Sequence, residues 1–188
     1  FLNGGPGAPA YIYVARRNQH ARPVLSGWFG HASPFDFEDR YRPADGIGRF
    51  LCGTPPVLGL VALECGIDLI NRADMAEIRR KSLAFGTLFI ELMDERCSEF
   101  GFQLASPRDP AQRGSHVSFT HPNGYAIIQA LKSVGVIGDF RAPDILRFGF
   151  TPLYVGFEDV WHAVEHLRQV LDSGEWQRPE FNQAHAVT

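Results

Sequence analysis

A chain of 188 residues and 21.0 kDa is long enough for one sizeable core, or for one and a half small ones. Its apolar fraction of 45% and charged fraction of 21% are those of an ordinary globular protein. A net charge of -3 argues against a nucleic-acid or anionic-membrane surface, since both rely on a basic field. No uncharged apolar run reaches the ~18 residues of a membrane span, and no signal peptide is read. Cys52, Cys65 and Cys97 lack CxxC spacing and an even count, which predicts reduced, buried thiols in a cytoplasmic chain.

In chain order, residues 1–53 read as irregular structure around one strand. Asn3-Gly4-Gly5-Pro6-Gly7 has the composition of a turn. Residues 11–14, Tyr-Ile-Tyr-Val, have the β-branched and aromatic content of a buried strand. From 22 to 53 there is no helical or alternating period, and a loop that long is usually functional or packed against something else. Thr54-Pro55 then predicts an N-cap with proline at the first helical position, and residues 57–70, apolar nearly all round, predict a buried helix. Asp74 with Glu77 three residues on predicts the cap of a second helix, about 25 residues long and stopped at Gly101.

Beyond 102 the pattern is α+β. Strands are predicted at 102–104, 115–119, 136–137 and 145–150. A helix is predicted over 124–134 with Gly135 closing it, and another over 157–171 before Gly174. So few helices can cover only one face of the sheet. The reading divides the chain into 1–73, 74–175 and a loosely held polar tail, 176–188.

Several side chains admit two readings. Trp28 offers an indole N–H, a donor only, suited to a phosphate oxygen or to a core or interface contact. Thr54 is a cap or, at a helix N-terminus, an anion contact. Arg147, among apolar strand residues, must be paired, either with Asp139 or Asp144 or with a carboxylate held by its planar fork. His162 and His166 have zinc-like i,i+4 spacing but no evident third ligand, which makes them a solvated helix face. Lys81 reads as a surface charge.

Five phrases lift the chain above a generic α/β reading: Phe1-Leu2-Asn3-Gly4-Gly5-Pro6-Gly7, Gly27-Trp28-Phe29-Gly30-His31, Cys52-Gly53-Thr54-Pro55-Pro56, Val136-Ile137-Gly138-Asp139-Phe140-Arg141, and Leu146-Arg147-Phe148-Gly149-Phe150-Thr151-Pro152-Leu153-Tyr154. In order and rough spacing they resemble the kynureninase family, its bacterial members most. The resemblance implies the C-terminal part of an α/β, aspartate-aminotransferase-type (fold type I) enzyme, with 1–73 ending the large cofactor-binding domain and a small α+β domain over 74–175. It implies a cytoplasmic homodimer whose active site is shared across the interface. The cofactor implied is pyridoxal 5'-phosphate, with hydrolytic cleavage of the Cβ–Cγ bond of L-kynurenine to anthranilate and L-alanine.

By the same resemblance Trp28 and Thr54 contact the cofactor phosphate, Arg147 binds the substrate α-carboxylate, and Phe29 and His31 flank the substrate aryl ring. No catalytic residue falls within the chain, because the Schiff-base lysine of that family would immediately precede Phe1, with Asn3 and Gly4 positioning it. Competing readings are a cysteine-desulfurase-like enzyme, which would need a reactive cysteine on a mobile loop, and a non-catalytic dimerisation or binding module.

Overall fold

The computed structural model describes Gly5 and residues 7–183. The chain forms two compact units, Phe1–Ala73 and Asp74–Thr188.

In the first unit, single 3-10 turns at Arg16–Asn18, Trp28–Gly30 and Gly46–Phe50 precede helix α1, Val57–Asn71. An isolated bridge between His31 and Pro43, and the Tyr41 hydroxyl donating to the Gly30 carbonyl at 3.0 Å, fasten the irregular stretch. Three expectations fail here. Residues 11–14 form no strand, and Tyr11 and Tyr13 are exposed; a strand needs a hydrogen-bonding neighbour, and none among the described residues pairs with this segment. Thr54 is not the cap of α1: that position belongs to Pro56, whose carbonyl accepts from Leu60 N at 3.0 Å. Two successive prolines explain it, since the residue before each is pushed away from helical geometry. Nor is α1 buried, for only Leu63 and Gly66 are covered while Leu58 is 88% exposed.

The second unit opens with α2, Met75–Arg96, capped as expected by Asp74, whose carboxylate accepts from Ala76 N at 2.7 Å. Then follow β1 (Gln103–Leu104), β2 (His116–Thr120), α3 (Gly124–Ser133), β3 (Asp139–Arg141), β4 (Ile145–Gly149) and α4 (Phe157–Asp172). The strands form one antiparallel sheet in the order β1-β2-β4-β3. Strand alternation sends Val117, Phe119, Leu146 and Phe148 into the core. There Phe89 of α2 meets Phe148 at 4.9 Å, Phe150 at 5.3 Å and Phe119 at 6.1 Å between ring centroids. Leu131 of α3 and Leu167 of α4 are fully buried in the same cluster.

The strand predicted at 136–137 lies instead at 139–141. Gly138 comes first, and a Cβ there would sit 2.6 Å from Ile128 Cδ1, so the chain must pack against α3 before it can pair. Residues 176–183 are not loosely held. Trp176 and Phe181 pack on the core, and the Tyr125 hydroxyl donates to the Gln183 carbonyl at 2.9 Å.

Candidate functional site

The Trp28 phrase is shaped by its glycines. A Cβ on Gly27 would lie 1.7 Å from the Cys52 carbonyl oxygen, and one on Gly30 would lie 2.5 Å from that of Leu51. Gly27 has extended backbone (φ -147°), so what it supplies is space. The segment ahead of Thr54 therefore packs directly on the turn that carries Trp28. The indole stays 47% exposed, edge-on to Phe29 at 4.4 Å and Phe35 at 5.6 Å. Its N–H has no partner among the described residues.

His31 is buried, and both ring nitrogens serve the loop. Nδ1 accepts from Ser33 N at 2.9 Å, so Nε2 carries the proton and donates to the Arg40 carbonyl at 3.2 Å. Only the ring face remains for another group. Glu38 lies 3.9 Å from Nε2, its carboxyl held below the usual range chiefly by the hydrogen bond from Arg42. Trp28, His31, Glu38 and Tyr41 help line a pocket of about 400 Å³.

Thr54 is exposed, and among the described residues its hydroxyl has no partner. With Pro56 as cap, the N–H groups of Val57, Leu58 and Gly59 have no carbonyl one turn back, the usual state of a helix N-terminus. Indole N–H, hydroxyl and free amides are donors of the kind an anion takes.

Arg147 stands in the second unit. It faces away from the core, directly opposite Ser118 on one side and Asp139 on the other. Nη2 donates to Asp139 Oδ2, and Arg141 Nε donates to the same oxygen at 3.1 Å. The side chain is 39% exposed, so it does not bear the burial cost that its apolar neighbours in sequence suggest. Of the two expected acids the sheet register selects Asp139. Arg141 was not foreseen, although the alternation Asp-Phe-Arg facing Ile-Leu-Arg carries the signal: Phe140 and Leu146 point inward and the three charges outward.

His162 and His166 line a cavity of about 490 Å³ together with Phe148, Phe150 and Tyr154. No cluster of three or more metal-ligating side chains occurs among the described residues. Lys81 is no solvated charge, because its ammonium donates to the Pro152 carbonyl at 2.7 Å and lies over the Phe85 ring. Cys52 and Cys65 are exposed rather than buried, whereas Cys97 is enclosed and burial pushes its thiol up to about 11. Asn3 and Gly4 lie outside the described residues. No described helix is long and apolar enough to cross a membrane.

Residues 78–167 match the family model of the kynureninase C-terminal domain. The whole chain is 52% identical to kynureninases of Pseudomonas fluorescens and Burkholderia mallei (strain SAVP1), and it spans 45% of the length of each. Among solved structures it is similar to a cysteine desulfurase from Thermococcus onnurineus NA1 (TM-score 0.69, 19% identity, 86% of this chain and 42% of that one). It is also similar to the cysteine desulfurase CsdA from Escherichia coli (TM-score 0.65, 20% identity, the same coverage). Likeness at such identity shows the fold, that of the C-terminal part of an aspartate-aminotransferase-type enzyme. The chain belongs to the kynureninase family.

Proposed function

We propose that the protein is a pyridoxal-phosphate-dependent hydrolase that cleaves the Cβ–Cγ bond of L-kynurenine, or of 3-hydroxykynurenine, in tryptophan catabolism. The products are anthranilate, or 3-hydroxyanthranilate, and L-alanine. The observation that carries this reading is 52% identity to kynureninases along the entire chain. The fold agrees with it: C-DES, a neighbour at TM-score 0.63, has a structure with glycine covalently linked to its PLP cofactor.

The residues present fit the group. An indole N–H and a hydroxyl without partners among the described residues, with the first amides of α1, are donors of the kind a phosphate takes, and the space left by Gly27 and Gly30 keeps the first of these beside the chain leading to the others. Bound cofactor supplies an electron sink, and the protein supplies orientation and electrostatics. Trp28 and Thr54 donate to the phosphate. Phe29 offers a stacking face to the substrate aryl ring, with the ring face of His31 beside it. Arg147 receives the α-carboxylate on nitrogens that Asp139 leaves open.

We further propose a cytoplasmic homodimer with a shared site. Support comes from Val57 and Leu58, which leave 63% and 88% of their surfaces in water on a helix that reads as core. The reaction is tested at Arg147. Lysine keeps the charge but loses the fork, so Arg147→Lys should lower kynurenine turnover at least about a hundredfold, or ~2.7 kcal/mol of transition-state stabilisation. Cofactor absorbance should not change. Retained turnover with a lowered melting temperature would mean that Arg147 serves only the sheet.

A further inference from the structure

We infer that Asp139 is a positioning residue: it holds the Arg147 guanidinium in one orientation for a substrate carboxylate, with Arg141 keeping the local charge positive. The inference rests on the reading of Arg147 as the carboxylate fork. Asp139 and Arg147 are directly opposed on the antiparallel pair β3–β4, so both side chains leave the same face of the sheet. Arg141, two residues along β3, leaves that face as well. One oxygen, Asp139 Oδ2, accepts from both arginines, by way of Arg147 Nη2 and Arg141 Nε.

Two features separate this arrangement from a stabilising ion pair. The first is exposure. Arg147 is 39% and Asp139 44% exposed, and pairs so open to water add little to fold stability. The second is the imbalance of charge and donors. Two guanidinium groups meet one carboxylate, which leaves a net positive charge on this patch. Among the described residues Nε and Nη1 of Arg147 have no partner. A long, rotamer-rich side chain is thus tethered at one nitrogen while its remaining donors stay available, the state a bidentate carboxylate contact needs. Arg141 offsets the repulsion that Asp139 would exert on an incoming anion.

The test is steady-state kinetics of the full-length, cofactor-loaded enzyme on L-kynurenine. Asp139→Asn should raise KM about fivefold to tenfold with a smaller effect on kcat, because it frees the rotamers of Arg147 without removing its charge. Asp139→Glu should recover part of that loss, and the melting temperatures of both variants should stay close to wild type. Adding Asp139→Asn to Arg147→Lys should cost little more than Arg147→Lys alone, as expected when one residue acts through the other. An unchanged or lowered KM in Asp139→Asn, with Arg147→Lys still impaired, overturns the role of Asp139 alone. An unimpaired Arg147→Lys removes the carboxylate reading and the role of Asp139 with it. Fully additive effects in the double variant also overturn the inference.

Discussion

Replacing Trp28 by phenylalanine removes one hydrogen-bond donor and leaves an aromatic ring in place. If the indole N–H serves the cofactor phosphate, Trp28→Phe should weaken pyridoxal phosphate about tenfold, the ~1.4 kcal/mol of a charge-assisted hydrogen bond. Equilibrium titration of the apoenzyme checks this, and unchanged affinity would return Trp28 to a packing role. The sequence singled the residue out by its phrase, and among the described residues its indole N–H has no partner, which leaves the donor for this titration to assign. Arg147 was legible as an arginine in need of a partner. Which partner it takes depends on strand register, which composition does not fix: Asp139 faces it across the sheet, whereas Asp144 offers its backbone carbonyl to His121 N. Lys81 was misread because its acceptor, the Pro152 carbonyl, lies 71 residues away along the chain.

At the scale of elements, helices with local start and stop chemistry were the most readable, except that α2 ends at Arg96, and Gly101 closes the 3-10 turn Ser98–Phe100 that follows it. Asp74 caps α2, and Gly135 and Gly174 follow α3 and α4 in left-handed backbone, at φ 89° and 68°. Asp74→Ala should remove the bond to Ala76 N and cost about 1 kcal/mol, read as a lower melting temperature. A shift no larger than that of Glu91→Ala, a substitution at an exposed site on the same helix, would contradict the assignment. Elements that depend on a distant partner were less readable. Residues 11–14 have strand composition but no strand to pair with among the described residues, and the strand expected at 136–137 is displaced by the close packing of Gly138 on Ile128. The start of α1 was misplaced for a local reason, since Pro55-Pro56 moves the cap away from Thr54. That leaves the threonine hydroxyl without the duty of a cap.

For the whole molecule, the two units contrast. Residues from Asp74 onward carry a core built by α2, α3, α4 and one face of the sheet. The unit before them is held by turns and side-chain hydrogen bonds, and the apolar side of α1 lies in water. The sequence spoke of a buried helix because apolar composition reports what a segment needs to have covered, not what covers it. The fold is shared with cysteine desulfurases, so fold alone does not choose the reaction.

Product analysis makes that choice. Full-length, cofactor-loaded protein should be given L-kynurenine and L-cysteine in parallel, with amino acids, aryl acid and released sulfur all quantified. The expected result is anthranilate and L-alanine in equal amounts from kynurenine, and no comparable release of sulfur from cysteine. Turnover of cysteine without formation of anthranilate would contradict the proposed reaction.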